Sequence, residues 1–223
     1  MQRPILLALV ACAVACSSEK KPSLVVTDSV PALPVDHPSV PGEPVSRRIT
    51  RLSIAQLRNT FPVVFGNDAA GQPITWTIPA GAKQVNGFDA FAGTLGVPDY
   101  SINTEEALDP SPLYLKFVDD AARDACEKAL TADYGRSERS ARTLLRHVEL
   151  TATELGVVEN LKYLKLRFHG VKASDNDVAP LKRLFSSVVE AAAARAVPPE
   201  ARAREGWRAV CVALATAPEF HLY

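Results

Sequence analysis

The residue types that could do chemistry are few in this chain, and their spacing removes most reaction centres at once. Histidines stand at positions 37, 147, 169 and 221. No two of them have HExxH spacing and no Cys-x-x-Cys occurs, so neither a zinc site nor covalently attached c-type haem has support, and no metal or cofactor is expected. G-x-S-x-G, the P-loop and the dinucleotide fingerprint are also missing. The adjacent pair Asp119-Asp120 falls on an expected helix, where a solvated face explains it better than an acid–base dyad. His169 before Gly170 suits a helix C-terminus, where its charge meets the dipole. The one polar position with a suggestive setting is Asp89 in Gly87-Phe88-Asp89. A loop aspartate beside glycine and phenylalanine either binds a cation or a sugar or hydrogen-bonds its own turn. Trp76, Phe88, Asp89 and Tyr100 form a candidate binding set. The aromatics among them, with Phe91, either line a pocket or pin the loop down.

The other reactive positions are cysteines. Arg3 precedes an uninterrupted small and apolar run, residues 4–15, and Cys16 is followed at once by Ser17, Ser18, Glu19 and Lys20. This is the layout of a secretory signal, and the run is shorter than the roughly 20 residues a spanning helix needs. A cysteine after small residues, where the apolar run stops, is similar to the lipobox of bacterial lipoproteins. Cys16 is the expected lipid-bearing residue. Cys12, preceded by Leu9, is the alternative, but cleavage there leaves an apolar core at the short end for export. An ordinary signal cut near residue 15 also remains open. Ser17 in second position resembles lipoproteins sent to an outer membrane. Residues 1–15 therefore read as signal peptide and the protein as anchored in the cell envelope, facing the periplasm or the cell surface.

Residues 16–45 carry Pro22, Pro31, Pro34, Pro38, Pro41 and Pro44 and no aromatic. Such a stretch cannot bury enough surface to offset its ordering entropy and reads as a semi-stiff tether. Residues 46–223 suit one domain, or two closely packed subdomains. Its charge is balanced at 25 basic and 25 acidic residues over the whole chain, with no basic stripe, so nucleic acid is not an expected partner. The cluster Arg136, Arg139, Arg142 and Arg146 reads as a solvated helix face. Cys126 and Cys211 are either two small buried hydrophobes or, in an oxidising compartment, a disulfide. The disulfide is the expectation. Closing a loop of that length is worth at most about 4 kcal/mol.

These residues must be positioned by a mainly α fold, a bundle of about five helices with a long Gly/Pro-rich loop region and one short strand or hairpin. In residues 46–110, Ser53 and Gln56 have capping-box spacing, Leu52 and Leu57 can staple, and Pro62 is expected to end that short helix. Residues 74–78 alternate as a strand. Residues 111–223 form the bundle. Ser111-Pro112 opens a helix whose apolar face is Leu113, Phe117, Ala121, Ala125 and Leu130. A second helix is expected over residues 137–148, and a third from a Thr151/Glu154 capping box, with Leu155, Val158, Leu161, Leu164 and Phe168 behind it. Asp177 is the expected cap of a fourth, with Leu181, Leu184, Phe185, Val188 and Val189 inward. Pro198-Pro199 opens the last, where Trp207, Val210, Cys211 and Leu214 share a face.

Several of these segments together resemble a domain of large exported bacterial proteins, abundant in planctomycetes and myxobacteria and often associated with cytochrome c domains. The segments are Arg47-Arg48-Ile49-Thr50-Arg51 leading to Leu57-Arg58-Asn59-Thr60; Gly87-Phe88-Asp89 with Leu95-Gly96-Val97; Leu166-Arg167-Phe168-His169-Gly170; and Ala213-Leu214-Ala215-Thr216-Ala217-Pro218-Glu219-Phe220. The resemblance implies an exported, mostly helical and shortened relative without its own haem, and brings no assigned chemistry. The expected function is a lipid-anchored binding or accessory protein. It would be held to the membrane by its lipid and act through an envelope protein partner. The alternative is an enzyme acting on extracellular polymer from a site in residues 74–101.

Overall fold

The computed structural model describes residues 49–102, 104–151 and 154–223. The expected signal, the tether, Cys12 and Cys16 lie outside them. Helix α1, Ile54–Phe65, opens on the expected capping box: Ser53 Oγ accepts the Gln56 N–H at 3.1 Å and Gln56 Oε1 accepts the Ser53 N–H at 2.8 Å. Pro62 does not end it. The ring removes one N–H from the helical ladder, a real cost. Phe61, Val64 and Phe65 are nevertheless all buried on the core side, and that burial carries the helix one turn further, to Gly66 at φ 77°.

The expected strand is displaced. Strands β1, Thr77–Ala80, and β2, Lys83–Asn86, pair antiparallel with Ala80 opposite Lys83. The two-residue connection starts with Gly81 at φ +62°, the left-handed conformation that tight hairpins demand. Ile74 and Trp76, expected inside the strand, are buried just before it. The one-turn helix α2, Gly87–Ala90, follows directly. Asp124 accepts the Thr77 N–H at 2.8 Å and the Lys128 ammonium donates to Thr75 O and Thr77 Oγ1. These contacts fix the hairpin to the long helix α3, Pro112–Tyr134.

Helix α3 starts where expected, with Ser111 Oγ accepting the Tyr114 N–H. Its inner face is turned by about one residue. Tyr114, Val118, Ala122 and Cys126 join Ala121, Ala125 and Leu130 in the core, and Leu113 is exposed. Residues 137–148 do not form a helix beyond a single 3₁₀ turn at Arg139–Ala141. The backbone groups there are satisfied by side chains instead. The Asp133 carboxylate accepts the N–H groups of Thr143, Leu144 and Leu145 at 2.7, 2.6 and 2.9 Å. The Arg142 guanidinium donates to the carbonyls of Arg136, Ser137 and Val148. Arg142 is therefore buried, not part of a solvated arginine face, and Arg136 turns inward to Asp133 and Asn67 O.

Helix α4 is Val157–His169, and its N-cap is Gly156 at φ 77°, not Thr151. A Cβ at Gly156 would lie 2.1 Å from His147 O, so close packing on residue 147 sets the start. Asn160 reinforces it by donating to Leu144 O and accepting from the His147 N–H. The helix ends at Gly170 in the left-handed conformation, with its N–H on Leu166 O. His169 stands in the last turn as expected, and its Nε2 also lies 2.9 Å from Leu214 O on a neighbouring helix. Helix α5, Asp175–Ala194, is capped by Ser174, with Asp177 as the reciprocal third residue rather than the cap. Its buried positions are Val178, Phe185 and Ala192, with Leu181 and Val189 packed at the margin.

Helix α6, Pro199–Ala215, buries Trp207, Val210, Cys211 and Leu214 as its spacing requires. Phe185 packs on Trp207 at 4.6 Å between ring centroids. Cys126 and Cys211 are bridged, joining α3 to α6. The short helix α7, Pro218–His221, completes the described elements. Residues 221–223 then pair with residues 50–52: Thr50 N–H donates to Tyr223 O, Tyr223 N–H to Thr50 O, and Leu52 N–H to His221 O.

Candidate functional site

One face of α1 and the loop that follows the hairpin enclose an open groove of about 580 Å³. Ile54 with Arg58, and Ala55 with Asn59, reach it from α1, because residues four apart share a helix face. Phe88 and Asp89 reach it from α2, and Val97, Pro98, Tyr100, Thr104 and Glu106 from the loop. Of the candidate set, the structure brings Phe88, Asp89 and Tyr100 to the groove and leaves Trp76 out. Trp76 and Phe88 are buried and pack edge to face at 5.3 Å, with Phe91 stacked on Trp76 at 5.6 Å and Phe61 against Phe88 at 5.0 Å. They hold the loop on the core.

Asp89 does not tie its own turn. Asn86 does, its Oδ1 accepting the Phe88 and Asp89 N–H groups while its Nδ2 donates to Thr75 Oγ1. The Asp89 carboxylate is thereby free to face α1 and accepts from Arg58 Nη1 at 2.7 Å, with both side chains about half exposed. Gly87 makes this approach possible. A Cβ there would stand 2.3 Å from the buried Trp76 ring, so Gly87→Ala must push the indole or α2 aside. The expected cost is about 1–3 kcal/mol, read from denaturant melts. An unchanged melt would show that the loop is loosely packed.

The far wall is held by a buried arginine for which no local sequence pattern predicts a task. Arg51, 1% exposed, donates to Leu95 O at 2.6 Å, to Leu52 O, and to Glu106 Oε1 at 3.0 Å. That same carboxylate oxygen accepts the Ile54 N–H at 2.8 Å. Arg51 also lies over the Tyr114 ring at 4.9 Å. Burial pushes the Tyr114 phenol well above its ordinary range, partly countered by the Arg51 charge, so the phenol stays neutral. Tyr100 stands on the rim, 74% exposed, at φ 58°. Asp99 braces this left-handed residue by accepting the N–H groups of Ser101 and Ile102. The two carboxylates lining the groove, Asp89 and Glu106, are thus charge-compensated by guanidinium groups.

Comparison with family models, with curated proteins and with solved structures gives no match.

The remaining sites are structural. Asp119 pairs with Arg123 and Asp120 with Lys116, each one helical turn away on the exposed face of α3. His147 packs edge-on against Tyr163. Among the described residues no three His, Cys, Asp or Glu side chains are grouped to hold a metal ion, and no helix is long and apolar enough to cross a membrane. A second depression of about 460 Å³ lies between α3, α5 and α6 and carries Arg123, Arg195 and Arg208. Their charges are met by Asp119, Glu205 and Glu127.

Proposed function

We propose that this chain is a lipid-anchored cell-envelope protein, attached through Cys16, whose folded part binds rather than transforms its target. The observation that carries the binding half is the groove between α1 and the 97–106 loop. It is open and of ligand size, yet its two lining carboxylates are engaged by Arg58 and by Arg51 with the Ile54 N–H. The anchoring half rests on the sequence alone: the apolar run ending at Cys16, the polar residues directly after it, and the resemblance to exported envelope proteins. Several lipid chains on one cysteine would hold it durably, whereas one acyl chain holds a protein only marginally. The expected location is an outer membrane, with a second envelope protein as partner.

Replacing Cys16 by Ala should release the protein from the membrane fraction and abolish incorporation of a labelled fatty acid, while Cys12→Ala should leave both intact. Retention of label in the Cys16 variant would move the anchor to Cys12, and absence of label in the native protein would end the lipoprotein reading. One observation favours the enzyme alternative, namely that Asp89 faces the groove together with Tyr100. Asp89→Asn separates the two readings, because a polymer-cleaving enzyme would lose turnover in an intact fold and a binding protein has none to lose.

A further inference from the structure

We propose that the groove beneath Tyr100 is a binding site for a neutral oligosaccharide. The inference rests on the reading above that this groove is the binding surface, and it names the ligand class. Charge decides against an ionic ligand. Arg58 is already met by Asp89 at 2.7 Å and Glu106 by the buried Arg51 at 3.0 Å, so a phosphate or carboxylate would meet a like charge at Asp89 or Glu106, and a basic peptide a like charge at Arg58. A hydroxyl-rich neutral ligand does not. The Arg58–Asp89 contact uses one of five guanidinium N–H donors and one carboxylate oxygen. A single sugar hydroxyl can donate to Asp89 and accept from Arg58 at the same time, and both bonds are charge-assisted. Asn59 adds an amide that both donates and accepts, and Thr104 a hydroxyl.

The apolar half of the groove fits the same ligand. Pyranose rings present C–H faces beside their hydroxyls, and they pack on an aromatic ring with a polar rim. Tyr100 is the exposed aromatic at the edge of the groove, fixed in a sparsely populated backbone conformation that persists only where the surroundings enforce it. Ile54 and Val97 continue the apolar surface inward. The groove volume of about 580 Å³ lies inside the range of small-ligand sites, roughly 300–1,000 Å³, and suits a short oligomer rather than one ring.

The test uses the full chain in a zwitterionic detergent that carries no sugar headgroup. It is titrated calorimetrically with tetrasaccharides of β-1,4-linked N-acetylglucosamine, β-1,4-linked glucose and α-1,4-linked glucose. At least one should bind with a Kd below about 1 mM. Tyr100→Ala and Asp89→Ala should each weaken that binding by about tenfold or more, with unchanged melting, while Asp119→Asn on α3 should leave it alone. No heat with any of the three up to about 10 mM, or binding indifferent to Tyr100→Ala and Asp89→Ala, overturns the inference. A parallel pull-down from solubilised membranes separates the two levels. If a protein is captured by the native chain, lost with Tyr100→Ala, and no saccharide binds, the groove is a protein site: the ligand class falls and the binding role stands. If neither ligand binds, both fall.

Discussion

Asp133→Ala should cost this domain about 3–5 kcal/mol. The carboxylate is fully buried at the end of α3 and takes three consecutive backbone N–H groups, of Thr143, Leu144 and Leu145, as well as the Arg136 guanidinium. Removing it leaves three donors in places where water does not replace the acceptor, and each such orphan costs about 1–3 kcal/mol. Asp133→Asn keeps one acceptor oxygen and should lose roughly half as much. Urea midpoints at unchanged m-value measure both. Hydrogen exchange should localise the loss, with protection falling first over residues 137–150. A deficit under about 1 kcal/mol for Asp133→Ala would mean that the segment finds its own hydrogen bonds and that the carboxylate is dispensable.

Loss of the Cys126–Cys211 bridge should be nearly as severe, about 4 kcal/mol by the loop-closure argument for a separation of 85 residues. In a domain of this size that amounts to a fall in Tm of roughly 10–15 °C. The Cys126→Ala/Cys211→Ala double variant, melted beside the native chain with and without reductant, separates the covalent link from the packing of two small side chains. The native protein under reductant and the double variant should melt together. Both cysteines are fully buried, so reductant should reach the bridge only as fast as the domain opens. A double variant as stable as the oxidised protein would reduce the bridge to a packing detail.

Those two features differ sharply in how far the sequence disclosed them. The bridge was legible because Cys126 and Cys211 are the two cysteines left beyond the expected signal, and an oxidising compartment invites their pairing; their places on the apolar sides of two helices fitted two buried hydrophobes as well. The Asp133 arrangement was not. Residues 137–148 have helical propensity and a plausible apolar pattern in Leu144, Leu145 and Val148, and that pattern is satisfied equally well by a folded loop. What decides between them is the supply of polar partners from outside the segment, Asp133 from α3 and Asn160 from α4, which no local periodicity encodes. The displaced starts of α4 and α5 have related causes. Gly156 must pack on a backbone carbonyl, and Ser174 outcompetes Asp177 for the cap while keeping it as reciprocal partner.

The groove was half legible. Loop chemistry points to Asp89, and nearness in sequence groups Trp76, Phe88 and Tyr100 with it; Phe88, Asp89 and Tyr100 reach the groove and Trp76 does not. The Gly81–Ala82 turn reverses the chain after Trp76, which sits in the core under the same loop. Arg58 and Asp89 are 31 residues apart and meet only because Asn86, not Asp89, closes the turn of α2. Arg51 was visible as part of the Arg47–Arg51 segment quoted in the family resemblance. Its role as a buried strut between Leu95 and Glu106 depends on a loop whose path the sequence leaves open.

The pairing of residues 50–52 with residues 221–223 has a mechanical consequence. Any pull applied at residue 49 enters the fold through this small clasp and passes at once into Arg51 and the first turns of α1, the elements that form the groove. The path from residue 49 to Arg58 in the groove is therefore only about ten residues long. Tension borne there would be felt at the Arg51–Glu106 strut before it reached the bundle. A pull that loosens the clasp therefore disturbs the groove wall while the Cys126–Cys211 bridge still joins α3 to α6.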